Sequence, residues 1–140
     1  MVFIGIKIAQ NVGVERATAA QEQAVLSKLG HASARQVLDA WFWGINHHST
    51  PVVVACSHPR AEAWEGIKKL KVLSVREVIQ TPGHRPKRSR NDEKCFSVRF
   101  RPFNRFGWTT GLEQGQVYEW TFYMKRSRVS RWRVQSYGMC

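Results

Sequence analysis

Two stretches near the end of the chain alternate between large apolar and polar positions. From Tyr118 to Met124 every second residue is large and apolar. Trp132 and Val134 alternate in the same way with arginine and glutamine. A period of two sends alternate side chains to opposite faces of a β-strand. The pattern over residues 116–138 therefore predicts two antiparallel strands joined by a basic turn, with one apolar wall that another element must cover.

Earlier stretches extend the predicted sheet. Residues 95–103 alternate around Phe96, Val98 and Phe100, and residues 72–79 are rich in β-branched side chains, which favour strands. Pro102 either ends regular pairing or confines it to an edge. The stretch 81–94 combines turn-forming residues with clustered charge and is predicted as a loop. Residues 104–115 are predicted as a long connection into the final hairpin.

An amphipathic helix is predicted to begin after Ser33. Ser33 is a favoured N-cap residue, and Gln36, three positions on, completes a capping box. The residues that follow form one wide apolar face at helical period: Val37, Leu38, Trp41, Phe42 and Ile45. This helix is the predicted cover for the apolar wall of the hairpin. Weaker helical patterns cover residues 17–29, 52–56 and 61–70.

The order of the elements, helices first and strands afterwards, favours an α+β fold with the helices packed on one face of an antiparallel sheet. A chain of 140 residues is typical of one domain. We divide it into an N-terminal extension over residues 1–32, made of a short apolar start and a helix, and a single α+β domain over residues 33–140. The apolar start is too short for a transmembrane helix and lacks the pattern of a signal peptide. An envelope-associated and a cytoplasmic location both stay open.

Several segments resemble a known superfamily. Residues 33–46, SARQVLDAWFWGIN, resemble the first long helix of nuclear transport factor 2-like domains, which have the cystatin-like fold. Later segments are similar to an uncharacterised bacterial branch of that superfamily, often attached to the cell envelope. These segments are 64–78 (WEGIKKLKVLSVREV), 96–100 (FSVRF), 115–125 (GQVYEWTFYMK) and 132–138 (WRVQSYG).

The resemblance implies a cone-shaped domain in which the N-terminal helices pack into a strongly curved antiparallel sheet. Domains of this superfamily often hold an apolar pocket inside the cone. Trp41, Tyr118 and Trp120 are the candidate pocket residues. The resemblance carries over a fold and no catalytic residue.

The charge of the chain bears on its partners. The formal net charge is +12 and the sequence pI is about 10.4. Such a field favours anionic partners such as nucleic acid, anionic lipid or a wall polymer, and it is also typical of a surface that is simply basic. Two clusters in or beside predicted turns can reach a phosphate backbone. The candidate polyanion-binding residues are Arg85, Lys87, Arg88 and Arg90 in the first cluster, and Lys125, Arg126, Arg128 and Arg131 in the second. The clusters reinforce each other only if the fold brings them to one face.

No motif predicts catalysis, a metal site or a cofactor. The histidines are not spaced as zinc ligands, and no phosphate-binding loop or nucleophile elbow is present. Asp39 lies away from the apolar face of its helix, and Glu119 points away from the aromatic row, so neither is placed as a pocket base. The cysteines Cys56, Cys95 and Cys140 lack a paired spacing. A Cys56–Cys95 bridge stays open, and burial as free thiols is favoured.

These observations support three functional hypotheses. The first is a non-catalytic binding or assembly module whose partner is a small ligand, a peptide or a second copy of the chain. The second is a nucleic-acid or other polyanion binder that uses the two basic clusters. The third is a small-molecule enzyme of the isomerase or hydrolase type. Pairing of two copies through the outer sheet face is disfavoured, because that face would carry several arginines.

Overall fold

A computed structural model describes residues 16–57, 66–79, 92–105, 110–127 and 130–138. Three α-helices precede four β-strands in this part of the chain. The helices are α1 (Ala19–Lys28), α2 (Ala34–Asn46) and α3 (Thr50–Cys56), with a short 3-10 turn, Leu29–His31, between α1 and α2. The strands are β1 (Ile67–Val78), β2 (Glu93–Asn104), β3 (Tyr118–Lys125) and β4 (Arg133–Gly138). They form one open antiparallel sheet in chain order, with the helices packed on it, which confirms the predicted α+β class.

Helix α2 begins where the capping pattern predicted. The Ser33 hydroxyl accepts a hydrogen bond from the Gln36 amide N–H at 3.2 Å, and the Gln36 side chain accepts one from the Ser33 amide at 2.9 Å. These bonds satisfy two of the N–H groups that a helix start leaves without partners. Thr18 and Gln21 form the same capping box at the start of α1.

The apolar face of α2 packs on the predicted hairpin. Trp41 is only 1% exposed, and its ring centroid lies 5.4 Å from that of Phe122 on β3. Phe42 meets the same Phe122 ring at 5.3 Å. Burial of one such side chain contributes about 1.5–3 kcal/mol. The predicted contact between this helix and the hairpin is therefore confirmed at Phe122.

A bulge in β4 changes which residue joins the apolar face. Val134 lies opposite Met124, but the next pair is Ser136 with Tyr123, so Gln135 is an extra residue. A bulge of this kind shifts the alternation by one position. Tyr137 therefore lies opposite Phe122 and stacks on it, with 5.5 Å between the ring centroids. Alternation continued from Val134 would have placed Ser136 there instead.

The helix predicted over residues 61–70 is wrong from Ile67 onward, where β1 begins; residues 61–65 lie outside the described part. The register of β1 against β2 shifts between Ile67 and Lys69. Because of this irregularity Ile67 and Leu70, three positions apart, are both buried, and their spacing imitates a helical period. The bulge is the physical reason for the error.

One further strand boundary differs from the sequence prediction. The loop predicted over 81–94 ends earlier, because Glu93 and Lys94 already pair with Lys125 and Met124 on β3. Residues 80–91 lie outside the described part of the chain. Pro102 pairs with Leu70 on β1, beyond the point where β3 starts at Tyr118. It therefore occupies an edge-like stretch of β2, as predicted for a residue without an N–H.

The short helix predicted over 52–56 is confirmed as α3, which carries Pro51 in its first turn. Helix α1 and the residue before its N-cap, Ala17, each contact the corner between α2 and α3. The Ala17 amide donates to the His47 carbonyl at 3.1 Å, and the Ser49 hydroxyl donates to the Glu22 carboxylate.

Cys56 and Cys95 are buried free thiols, as favoured from the sequence. Burial raises the pKa of the Cys56 thiol to about 12, so it stays protonated and unreactive at neutral pH.

Candidate functional site

Two of the three connections between the strands, β1 to β2 and β3 to β4, lie at the same end of the sheet. Strand β1 ends at Val78 and β2 begins at Glu93, while β3 ends at Lys125 and β4 begins at Arg133. The register places Glu93 opposite Lys125, and Lys125 opposite Arg133, so these strand ends are neighbours. We call this region the hairpin end of the sheet. The two connections that contain the basic clusters both start and finish there, because the sheet is antiparallel throughout.

Direct contacts link the two connections. The Arg126 amide, just after β3, donates to the Asp92 carbonyl, just before β2, at 2.9 Å. The Arg126 Nε also donates to the Asp92 carboxylate at 3.3 Å. The Arg126 guanidinium lies over the Trp132 ring, 4.8 Å from its centroid, which is a favourable cation–π distance. Arg126 is thus held from both sides at the junction of the two hairpins.

A cavity of about 810 Å³ opens between the hairpin end and the start of α2. Its walls come from both layers of the fold. Three cationic side chains and one carboxylate, Glu77, give it a basic lining. The lining residues are His31, Ala32, Ser33, Ala34, Arg35, Gln36, Glu77, Lys94, Phe96, Arg126 and Trp132.

Each cation of the cavity has a weak ionic partner. Lys94 Nζ lies 3.7 Å from the Glu77 carboxylate, and Arg35 Nε lies 3.0 Å from that of Asp39. The third pair is Arg126 with Asp92. All of these side chains are at least 38% exposed, and exposed ion pairs contribute only about 0–1 kcal/mol. A polyvalent anion can therefore compete for these cations at little cost in folding stability.

The outer face of the hairpin end is also basic. Lys125 and Arg133 are cross-strand neighbours, and like charges in that position repel. The buried Nε atoms of Arg131 and Arg133 have no hydrogen-bond partner within the described part of the chain. An anion bound beside Lys125 and Arg133 would offset their repulsion.

The structure brings together only part of the predicted polyanion site. Lys125, Arg126 and Arg131 lie at the hairpin end. The remaining candidates, Arg85, Lys87, Arg88, Arg90 and Arg128, lie outside the described residues. Sequence reasoning missed Arg35, which lies inside the predicted helix after Ser33, and Lys94, which ends the loop predicted over 81–94. No local pattern signals that two such distant residues share a cavity.

The candidate pocket residues are packed against other aromatic side chains. Trp41 lies in the core, and Phe100 contacts Tyr118 and Trp120 at 6.0 and 5.3 Å between ring centroids. The cavity at the hairpin end and a smaller one of about 250 Å³ on the outer face are lined by other residues. A ligand pocket at these three residues stays a prediction.

His47, His48 and Glu119 have structural partners. His47 stacks on Trp43 at 4.5 Å, and His48 Nε2 lies 3.3 Å from the Lys68 carbonyl oxygen. Glu119 accepts a hydrogen bond from Ser97 at 2.9 Å on the outer face of the sheet. Within the described ranges no three histidine, cysteine or acidic side chains lie close enough together to hold a metal ion. His58 and His84 fall outside those ranges.

Comparison with protein-family models, curated protein sequences and solved structures found no match for this chain. Among the helices of the described residues, none has the length and apolar character needed to cross a membrane.

Proposed function

We propose that this chain is a non-catalytic binding module that binds an anionic polymer at the hairpin end of its sheet. The observation that carries the proposal is the Asp92–Arg126 contact, which joins the two basic connections at one place. The sequence left open whether the two clusters share a face. Asp92 and Arg126, at the described ends of the two connections, are in contact, and the basic cavity lies beside them.

A polymer fits the arrangement better than a single small anion. Cations lie both in the cavity, at Arg35 and Lys94, and on the outer face, at Lys125 and Arg133. A chain of phosphates or sulfates can cross the end of the sheet and contact both groups. Each neutralised phosphate releases bound counterions, which makes such binding favourable at low salt and weak at high salt. Because backbone charge supplies the affinity, binding is expected to depend little on base sequence.

We propose in addition that the sheet is the curved wall of a nuclear transport factor 2-like cone, as the sequence resemblance implies. The packing of Trp41 and Phe42 on Phe122 supports this proposal, because such cones seat a long helix against the concave face. Register shifts in β1 and β4 also support it, since bulges increase the local twist and bend of strands.

Binding across a salt series tests the proposed function. Fluorescence anisotropy with labelled single-stranded DNA, duplex DNA and a sulfated polysaccharide is measured between about 50 and 200 mM salt. We expect binding to all three polymers at low salt and a steep loss of affinity as salt rises. Absence of binding to every polymer at low salt would overturn the proposal.

Matched variants locate the site. Arg126→Gln and Lys94→Gln each remove one charge from the hairpin end, and each is expected to reduce the slope of log affinity against log salt by about 0.7–0.9. Lys69→Gln removes the same charge from the opposite end of β1 and is expected to leave the slope unchanged. Equal effects of Lys69→Gln and Arg126→Gln would show that only net charge matters and would rule out a site at the hairpin end.

A further inference from the structure

Strand β1 is an edge of the sheet. It is 12 residues long, and among the strands of the described residues it pairs with β2 alone. An edge strand presents a row of backbone N–H and C=O groups that can pair with another strand. The other edge, β4, is half as long, and Val134 already forms a parallel bridge with Ser57.

Side chains from the end of α2 cover only the first part of the β1 edge. The Asn46 side chain accepts a hydrogen bond from the Leu70 amide at 2.7 Å and donates one to the Leu70 carbonyl at 3.1 Å. His48 approaches the Lys68 carbonyl at 3.3 Å. Beyond Leu70, no helix or strand of the described chain pairs with the free side of β1 as far as Val78.

Apolar side chains are exposed along this uncovered stretch. Val72 is 37% exposed and Leu73 is 41% exposed. The register places Val72 and Val75 opposite Phe100 and Val98, on the apolar face. A strand added here would bury part of Val72 and Val75 with its own side chains on that face.

The opposite face of the same edge is basic. Lys71 and Arg76 of β1 lie opposite Arg101 and Ser97 of β2, on the outer side of the sheet. Glu119, two strands away, lies 3.8 Å from Arg76 and forms an exposed ion pair with it. Residues of an added strand that point outward would lie directly beside Lys71 and Arg76, where opposite charges stabilise cross-strand pairs.

We infer that the edge of β1 from Lys71 to Val78 binds an extended acidic segment of another protein, which adds to the sheet as a fifth strand. The segment alternates acidic residues, which face Lys71 and Arg76, with apolar residues, which face Val72 and Val75. Main-chain hydrogen bonds supply affinity in this mode of recognition, and alternate side chains supply specificity. The site runs along the β1 edge and reaches the hairpin end only at Glu77 and Val78, and it does not depend on polymer binding there.

Charge argues for an acidic partner over a second copy of the chain. Strand β1 contains four cations and a single acid: Lys68, Lys69, Lys71, Arg76 and Glu77. Pairing two such edges would place most of these like charges side by side, which is unfavourable.

Fluorescence anisotropy of the full chain with a labelled peptide in which glutamate alternates with valine tests the inference. We expect saturable binding. A second peptide of the same sequence, with the backbone nitrogens of alternate residues methylated, keeps its charge and loses donors needed for strand pairing. It is expected to bind at least about tenfold more weakly. Each main-chain hydrogen bond that is lost lowers the affinity several-fold, and the methylated peptide loses more than one.

A charge-reversed edge provides the matched protein variant. Lys71→Glu/Arg76→Glu is expected to weaken binding of the glutamate peptide at least about fivefold. Arg16→Glu/Lys28→Glu changes the net charge equally on exposed positions of the helical layer and is expected to leave that affinity unchanged. Circular dichroism of each variant shows whether it is folded.

Four results would overturn the inference. One is no binding of the glutamate peptide, and another is equal binding of the methylated peptide, which would show attraction by charge alone. The third is equal loss of affinity in both double variants. Sedimentation of the chain alone as a dimer that Lys71→Glu/Arg76→Glu dissociates would assign the edge to a second copy, which also contradicts the inference. Polymer binding in the salt series is read out separately, so failure here and failure of the proposed function are distinguishable.

Discussion

His48 combines an unusual backbone conformation with a partly buried ring. Its φ angle is 52°, in the left-handed region, at the corner between α2 and α3. Burial lowers the pKa of His48 from its ordinary value of 6.5, and the positive charges of Arg105, Arg16 and His47 act in the same direction. The hydrogen bond to the Lys68 carbonyl opposes this shift. The folded protein therefore disfavours the charged imidazole.

This shift makes stability depend on pH. Below about pH 6.5 the unfolded chain binds a proton at His48 more readily than the folded chain, so stability is lost as pH falls from 6.5 toward the lowered folded pKa. His48→Asn removes the titration, and asparagine tolerates the left-handed conformation. Urea unfolding at about pH 7.5 and about pH 5.5 is expected to show a smaller drop in midpoint for His48→Asn than for the wild type. An equal drop in the two proteins would contradict this account of His48.

At the scale of elements, Gly44 permits the close approach of α2 and α3. A Cβ atom at this position would lie 2.9 Å from Val53 Cγ2 and 3.2 Å from the Val53 amide nitrogen. Gly44→Ala is expected to destabilise the protein, because overpacking costs about 1–3 kcal/mol and the gain in helix propensity returns about 1 kcal/mol at most. Gly30→Ala is the control, since nothing lies within 4 Å of its Cβ position. Denaturant unfolding in which Gly44→Ala is as stable as Gly30→Ala would disprove the close contact.

Hydrogen bonds from the Asn46 side chain connect the end of α2 to the edge strand β1. Its side chain makes two hydrogen bonds to the backbone of Leu70, a residue that is 1% exposed. Asn46→Ala leaves both backbone groups without that partner and is expected to lower the free energy of unfolding by about 1–3 kcal/mol. Gln23→Ala, at an exposed position on α1, serves as the control and is expected to change it by less than about 0.5 kcal/mol. A loss no larger than that of the control would mean that water replaces the amide without cost.

At the scale of the whole molecule, local patterns predicted the elements better than the site. Helix α2 could be predicted from the capping box at Ser33 and the apolar face around Trp41, because both signals lie within one helix. The start of β1 could not be predicted, because its bulge gives Ile67 and Leu70 a helical spacing. The cavity could not be predicted either, since Arg35, Lys94 and Arg126 come from three separate elements and meet only through tertiary packing.

The central claim is that the hairpin end of the sheet holds the anionic polymer, and amide hydrogen exchange tests it most directly. Exchange is followed with and without single-stranded DNA at low salt. We predict slower exchange in the described segments that form the site, residues 31–36, 92–94, 125–127 and 130–133, and no change in residues 102–105 and 110–117 at the opposite end. Protection confined to the opposite end, or spread evenly over both ends, would contradict the account.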